Sequence, residues 1–284
     1  MNLKEIKQRI QSVKSTQKIT SAMKLVSAAK LRRAQNAIEN MRPYQQKLDE
    51  IFSEFLSNKG ALQTPYTAVR EPKKVAIIAV SSDSSLCGGF NANIIREAKQ
   101  VVDKYLASGV EIVFLPVGKK IADAWRKMGY EENSALKEQA AAASYKVVSE
   151  VAYSLMKRFA AGELDRIEIV YTHFYSAAKQ APVKELFLPI DVDPVAVSDN
   201  VHDYIMEPSP EALLRELLPR VIVLRLFTAL LDSTAAEHAA RMVAMQVATD
   251  NADDLIEELV REYNKGRQQA ITNELLDIVA GSAN

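Results

Sequence analysis

The stretch from Asp232 to Ala280 places the strongest constraint on how this 284-residue chain can fold. It contains no proline and a single glycine, Gly266, and most of its residues lose little conformational freedom in a helix. Apolar and small residues recur at alternating spacings of three and four, at Met242, Met245, Thr249, Ala252, Ile256, Leu259 and Tyr263. This heptad pattern is typical of a helix that lies along a partner helix. At ~1.5 Å per residue the helix is roughly 75 Å long, so its partner must be long as well.

The N-terminal 56 residues have the properties of that partner. They contain no glycine and one proline, Pro43. A heptad track runs through them, with Leu3, Ile6, Ile10, Val13, Gln17, Thr20, Lys24, Ser27, Leu31, Ala34, Ile38 and Met41 as its members. The middle of this track is polar, and a second apolar line of Ile19, Met23 and Val26 runs beside it. We predict one long helix whose middle turns fit the strict seam poorly.

The two ends of the chain carry opposite charge, although the whole chain has a formal net charge of zero. Residues 1–33 contain nine basic side chains and one acidic side chain, Glu5. Residues 232–284 contain four basic and ten acidic side chains. Since the rest of the chain lies between the two helices, an antiparallel pairing is the simplest topology. The sequence therefore predicts an intramolecular antiparallel coiled coil.

The basic N-terminal helix has three other interpretations. A basic, acid-poor, amphipathic start also describes an organellar transit peptide, although the helical pattern continues past residue 33. Charge alone permits an arm that binds nucleic acid, but no aromatic residue precedes Tyr44 and no binding motif follows. The third interpretation is an ordinary solvated face. We predict no nucleic-acid partner.

Between the helices the hydrophobic period changes from helical to extended. Val75 to Val80 is a continuous apolar run, which indicates a strand buried on both faces. Further strands are predicted at 110–116, 166–173 and 183–190, and helices at 91–106, 119–128 and 140–160. This alternation predicts a small Rossmann-like α/β domain over residues 74–192. We predict a coiled-coil shaft from residues 1–58 and 208–284, with linkers at 59–73 and 193–207.

Chemistry-bearing residues are sparse. The turn from Asp83 to Gly89 follows a strand, where α/β sheets bind ligands, yet it lacks the glycine spacing of nucleotide-binding and phosphate-binding loops. Cys87 in that turn is either a nucleophile or a buried structural residue, and none of the three histidines forms a recognisable pair with it. No cluster has metal-ligand spacing. We predict no catalytic residue, no cofactor and no metal.

The cellular setting follows from two further features. Cys87 is the only cysteine, so an internal disulfide is excluded and a reducing compartment is expected. We expect no secretory signal and no membrane insertion, since the longest apolar run, Val221 to Leu231, is short and contains Arg225.

Motifs at both ends and in the middle resemble one family, the gamma subunit of the rotary F-type ATP synthase. The N-terminal motif is the stretch 6–26, which includes Thr16-Gln17-Lys18-Ile19-Thr20. The C-terminal motifs are Glu237-His238-Ala239-Ala240-Arg241-Met242 and Asn264-Lys265-Gly266-Arg267-Gln268-Gln269-Ala270. The turn Ser82-Asp83-Ser84-Ser85-Leu86-Cys87-Gly88-Gly89-Phe90-Asn91 is similar to the family's S-D-R-G-L-C-G-G-F-N. The resemblance covers nearly the whole chain.

The resemblance implies a rotor shaft that is no enzyme by itself. The shaft would turn inside a hexamer of alpha and beta subunits, with its α/β domain on the membrane c-ring and against the epsilon subunit. It would couple proton-driven rotation to the catalytic sites, as a peripheral protein at the cytoplasmic face of the cell inner membrane. The residues implied to contact the alpha/beta ring are Met23, Lys24, Arg267, Gln268 and Thr272.

Two departures from the family pattern are visible. Ser84 and Ser85 replace an Arg-Gly pair, which removes a cation from the central turn. Gly266 stands where Ala or Thr is common, at a cost to the helix of up to about 1 kcal/mol. The residues alone also permit two other functions, a structural coiled-coil spacer with an inserted domain and a small enzyme that uses Cys87.

Overall fold

A computed structural model describes residues 2–58, 64–129, 144–190 and 210–282. The helices and strands follow in chain order as α1 (Leu3–Asn58), β1 (Lys74–Val80), α2 (Phe90–Ala107), β2 (Glu111–Val117), α3 (Lys119–Lys127), α4 (Tyr145–Ala160), β3 (Arg166–Phe174), β4 (Gln180–Leu188) and α5 (Pro210–Ser282). The chain divides into two compact units. We call residues 1–28 with 241–284 the shaft unit and residues 29–240 the sheet unit.

The shaft unit is an antiparallel pair of helices. Hydrogen bonds join Gln17 to Asp253, Thr20 to Thr249 and Lys24 to Gln246, so the number falls along α5 as it rises along α1. The predicted seam is the buried one, with Ile6 and Thr20 buried on α1. On α5 Met245, Thr249, Ala252 and Leu259 are buried, and Met242, Ile256 and Tyr263 are half-buried. The heptad pattern therefore identified the contact face of both helices.

The sheet unit contains a four-stranded mixed sheet in the order β2-β1-β3-β4. β1 runs parallel to β2 and to β3, while β4 runs antiparallel to β3, with Tyr171 opposite Val183. Only five residues separate β3 from β4, too few for the crossover that a parallel pair needs. The predicted coiled coil with an inserted α/β domain is confirmed. Its boundaries at 58, 74, 192 and 208 stay predictions, because residues 59–63 and 191–209 lie outside the described ranges.

Both faces of the sheet are covered, as the unbroken apolar run of β1 predicted. Alternate residues of β1, Val75, Ile77 and Ala79, pack with α2 and α3, where Trp125 stacks on Phe114 with ring centroids 3.6 Å apart. The remaining residues, Ala76, Ile78 and Val80, pack with α4 and α5. A strand that is buried on both sides needs apolar residues at every position, since neither face meets water.

The apolar run 221–227 of α5 has a structural reason. Ile222, Val223 and Leu226 join the core that α4 forms with the sheet. Val221 and Leu224 point to another side and pack with Leu48 of α1. A helix covered on two sides must be apolar over most of its circumference. Part of the predicted linker is also fixed here, because Arg70 Nη1 donates to the Phe159 carbonyl oxygen at 2.8 Å.

Candidate partner-contact surface

The middle of the shaft seam is a hydrogen-bonded polar layer rather than an apolar one. The hydroxyl oxygens of Thr20 and Thr249 lie 2.8 Å apart, and both residues are buried. At the next position of the heptad track, Lys24 Nζ donates to Gln246 Oε1 at 2.8 Å. On the other side Gln17 Nε2 donates to Asp253 Oδ1. The polar track is visible in the sequence, but these hydrogen-bond partners are not, because they depend on the register of two segments over 220 residues apart.

Met23 and Lys24 are both half-buried on α1. Lys24 uses its ammonium group within the chain, in the bond to Gln246. The long stem of a lysine can cross such a seam and still present one side of its charged head at the surface. Ring contact by these two residues therefore stays a prediction, and Lys24 has a structural role beside it.

Arg267, Gln268 and Thr272 lie on a part of α5 that extends past the start of α1. Leu3, the first residue of α1, lies against Gly266, where an added Cβ would come within 3.1 Å of Leu3 Cδ2. From residue 267 to residue 278 every side chain is exposed. The three predicted contact residues are thus displayed on the surface, and whether they meet a ring stays a prediction.

The same part of α5 exposes large apolar side chains. Ile271, Leu275, Leu276 and Ile278 are between 48% and 62% exposed. Residues three or four apart on a helix are neighbours, so Ile271 and Leu275 adjoin Gln268 and Thr272 on one surface. The Thr272 hydroxyl donates to the Gln268 carbonyl oxygen at 2.9 Å. Contiguous exposed apolar surface of this kind is a candidate site of contact with another protein, and that contact stays a prediction.

A second group of exposed apolar side chains lies on α1, at positions for which no surface site was predicted from the sequence. Ile19, Leu25 and Val26 are exposed, although their neighbours in sequence, Thr20 and Ser27, are buried. The signal for it was present in the sequence as the second apolar line beside the polar track. Lys14, Lys18 and Lys30 are exposed along the same helix. The surface of α1 is therefore both apolar and basic.

The turn before α2 is held by its own polar groups. The Ser82 hydroxyl donates to the Ser84 carbonyl oxygen at 2.6 Å, and the Asn91 amide lies 3.2 Å from Cys87 Sγ. Cys87 is buried with Phe90 and Ala236. A nucleophilic thiol needs access to a substrate and a nearby base, and Cys87 has neither in these contacts. The structural interpretation of Cys87 is therefore favoured over the catalytic one.

Other buried ionisable groups are also paired within the sheet unit. The Tyr105 hydroxyl donates to Glu168 Oε1 at 2.5 Å, and Arg166 Nε lies 2.9 Å from the same oxygen. Burial raises the pKa of Tyr105, and the bond to Glu168 raises it further. Burial likewise raises the pKa of Asp232, while its bonds to His173 and the Phe174 amide act in the opposite direction. Through these hydrogen bonds, β3 is joined to α2 by Glu168 and to α5 by Asp232.

The described residues also contain neither a metal-binding cluster nor a membrane-spanning helix. Residues 2–58, 64–129, 144–190 and 210–282 bring together no group of three or more His, Cys, Asp or Glu side chains able to hold a metal ion. Across the same ranges the helices hold no stretch long and apolar enough to cross a membrane.

Replacement of Cys87 with alanine is expected to leave the ATP turnover of the complex that the resemblance implies within about twofold of wild type. The thiol packs in an apolar cluster and accepts one amide contact, so its loss costs stability of about 1 kcal/mol but removes no reacting group. Steady-state ATP hydrolysis of purified complexes, compared at equal assembly, checks this. A loss of more than about tenfold with assembly intact would restore the catalytic interpretation.

Comparison with known proteins places the chain in a family. A family model described as ATP synthase matches residues 2–284. The ATP synthase gamma chain of Bacteroides thetaiotaomicron is 49% identical, and the alignment covers 99% of both chains. The ATP synthase gamma chains of Phocaeicola vulgatus and Bacteroides fragilis are 49% and 50% identical over 99% of this chain and 99% of their own.

Solved structures with the same fold come from mitochondrial ATP synthases. A chain in the Euglena gracilis OSCP/F1/c-ring structure in rotational state 3 matches with a TM-score of 0.67 at 20% identity, over 99% of this chain and 93% of that one. A chain of the Tetrahymena thermophila central stalk and c-ring matches with a TM-score of 0.60 at 24% identity, over 81% of this chain and 99% of that one. At these identities the likeness establishes the fold. Together with the whole-length sequence relatives, it confirms the resemblance, and the chain belongs to the family of ATP synthase gamma chains.

Proposed function

We propose that this chain turns as the central shaft of an ATP synthase and couples ion-driven rotation of a membrane c-ring to the catalytic sites of an alpha/beta hexamer. As a gamma chain it is a non-catalytic subunit of the rotor. The observation that carries the proposal is the end of α5, where residues 267–278 extend past the start of α1 and expose four large apolar side chains. A two-helix rod that ends in an apolar tip fits a socket in a surrounding protein.

The coupling mechanism follows from the asymmetry of the shaft. A rod inside a ring of equivalent sites presents a different face to each site, and rotation exchanges the faces. Shifting a two-state site from 1:99 to 99:1 needs about 5.5 kcal/mol of differential interaction. Exposed ion pairs contribute about 0–1 kcal/mol each and do not reach this value alone.

Apolar contact can supply the difference. Full burial of a Leu or Ile side chain contributes about 1.5–3 kcal/mol, so covering the exposed half of one contributes roughly 1 kcal/mol. The tip offers Ile271, Leu275, Leu276 and Ile278, and α1 offers Ile19, Leu25 and Val26. Seven such contacts, formed with one catalytic site and not with another, would together supply a differential interaction free energy of the required size. Arg267, Gln268 and Thr272 beside them would fix the orientation by hydrogen bonds.

The partners belong to the proposal. The matched structures are of a central stalk with a c-ring and of an F1 assembly with OSCP and a c-ring. By analogy the shaft unit contacts alpha and beta subunits through Met23, Lys24, Arg267, Gln268 and Thr272. The sheet unit contacts the c-ring and an epsilon subunit. The complex lies at the cytoplasmic face of the inner membrane as a peripheral assembly and is driven by protons.

Native mass measurement of the complex purified through this chain tests the proposal. We expect one copy of the chain with a nucleotide-hydrolysing hexamer, an epsilon subunit and a c-ring. Leu275→Asp should reduce the recovered hexamer, because an exposed leucine at the tip would meet an apolar socket. Val69→Asp is the matched control, since Val69 is an exposed apolar residue of the sheet unit. Recovery of the chain alone or as a homo-oligomer would favour the structural-spacer function instead.

A further inference from the structure

Around the polar layer, α1 buries polar side chains and exposes neighbouring apolar ones, the reverse of an ordinary coiled-coil helix. Ile19 is 60% and Val26 is 56% exposed, whereas Thr20 is 8% and Ser27 is 3% exposed. The line of exposed Ile19, half-buried Met23 and exposed Val26 is the seam line of Thr20, Lys24 and Ser27 displaced by one residue. One residue corresponds to a rotation of about 100° around the helix axis. A roll of α1 by that angle would bury the apolar line and expose the polar one.

The hydrophobic effect alone favours the rolled setting over these turns, since burial of apolar surface is the larger driving force. The observed setting must therefore be held by something else. Beyond the layer, toward the start of α1, the seam residues Ile6 and Leu259 are also buried in this setting. Within the layer, three side-chain hydrogen bonds form only in the observed setting. Polar residues at seam positions are known to select one register of a coiled coil at a cost in stability.

The buried threonine pair is the centre of this layer. Each hydroxyl has one proton, and the acceptors within reach are the other hydroxyl and a carbonyl of its own helix, of Gln17 at 3.0 Å or of Met245 at 2.8 Å. One proton therefore serves the bond between the helices and the other serves a carbonyl. If α1 rolled, the Thr249 hydroxyl would keep its carbonyl but lose the bond to Thr20. A buried hydroxyl that loses a partner is costly, so the pair resists the roll.

We propose that Thr20 and Thr249 form a register lock, reinforced by Lys24 with Gln246 and by Gln17 with Asp253. The lock holds α1 in the rotational setting that leaves Ile19 and Val26 exposed and Met23 half-buried. It thereby positions an apolar face that a hydrophobic seam would hide. Thr20 and Thr249 are positioning residues. The effect of the lock on the coupling of rotation to ATP synthesis rests on the proposed function. The lock itself depends only on contacts within this chain.

Disulfide trapping in the full-length chain distinguishes the two settings. One heptad from the lock, Val13 and Ile256 are the corresponding half-buried seam residues, so Val13→Cys with Ile256→Cys reports the observed setting. In the rolled setting residue 12 takes the place of residue 13, so Ser12→Cys with Ile256→Cys reports the roll. Both pairs are placed in a Cys87→Ala background, which leaves no other thiol.

With native threonines we expect the 13–256 product to dominate. In Thr20→Val with Thr249→Val, the apolar layer no longer prefers one setting, and the 12–256 product should rise to an amount comparable with the 13–256 product. Thr16→Val is the matched control, because Thr16 is exposed and its hydroxyl bonds only within α1. Thr20→Ser with Thr249→Ser keeps both hydroxyls and should behave as wild type, which also covers the case that the valine variant folds poorly.

The same variants in the assembled complex test the consequence. The valine pair should lower ATP synthesis relative to ATP hydrolysis severalfold, and Thr16→Val and the serine pair should leave that ratio unchanged. A valine pair that traps only the 13–256 product would overturn the lock, as would a serine pair that traps both. Mixed trapping with an unchanged ratio would uphold the lock and contradict the proposed role of the α1 face.

Discussion

Arg267→Leu is expected to lower ATP synthesis and ATP hydrolysis together, by about tenfold to a hundredfold, in complexes that still assemble. Arg267 lies on the exposed end of α5 and can reach acidic or carbonyl groups of a surrounding subunit through charge-assisted hydrogen bonds. Loss of such a bond costs about 1.5–3 kcal/mol, and each 1.36 kcal/mol is a factor of ten in rate. Both directions of the reaction pass through the same shaft position, so both rates fall.

Turnover of purified, fully assembled complexes measures this effect. Arg267→Lys should recover part of the activity, since the charge remains but the planar fork of donors is lost. Lys265→Leu is the control, because it removes an exposed cation two residues away, on nearly the opposite side of the helix. Unchanged rates in Arg267→Leu would mean that the tip is a passive axle.

Phe159→Ala is expected to reduce the free energy of unfolding by about 3–5 kcal/mol, the largest effect on stability that we predict for the sheet unit. Phe159 is fully buried in the core that α4 and α5 form with the sheet. The Arg70 guanidinium lies over its ring, 5.1 Å from the centroid, and also donates to its carbonyl oxygen. Truncation leaves a cavity that the rigid sheet cannot close. It also removes the aromatic ring against which the Arg70 guanidinium packs.

Urea unfolding of the full-length chain, followed by far-UV circular dichroism, checks the prediction. Tyr153→Ala is the matched control, an aromatic truncation at an exposed position of the same helix. Its expected cost is within about 0.5 kcal/mol, since it opens no cavity. Equal midpoints for the two variants would show that the Phe159 site collapses or that this core adds little to the measured transition.

α5 is firmly packed in the sheet unit, whereas its tip is exposed. In the sheet unit, α5 is covered on two sides, by the sheet with α4 and by Leu48 of α1. The Asp232 carboxylate also accepts from the Phe174 backbone amide at 3.1 Å and contacts His173, which ties α5 to the end of β3. A helix held by packing and by buried hydrogen bonds resists twisting, because native side chains have few alternative arrangements. From residue 267 to residue 278 of α5, by contrast, every side chain is exposed.

The sequence alone determined the elements that repeat a strong local pattern. The heptad spacing from Met242 to Tyr263 identified the buried face of α5, since side chains at that spacing share one side of a helix. The unbroken apolar run of β1 indicated a strand covered on both faces. The motifs at the chain ends indicated the family whose model matches residues 2–284.

Only the tertiary structure decided features that depend on how distant segments align. The pairing of Thr20 with Thr249 requires the register of two helices, which no local pattern contains. The exposure of Ile271 and Leu275 follows from where α1 begins, opposite Gly266, because an apolar helix face is buried only while its partner lasts. The apolar run 221–227 is covered by the sheet with α4 and by Leu48 of α1, which no local pattern predicts. Local sequence sets which face of an element is apolar, but the neighbours that cover that face are set by contacts between residues far apart in the chain.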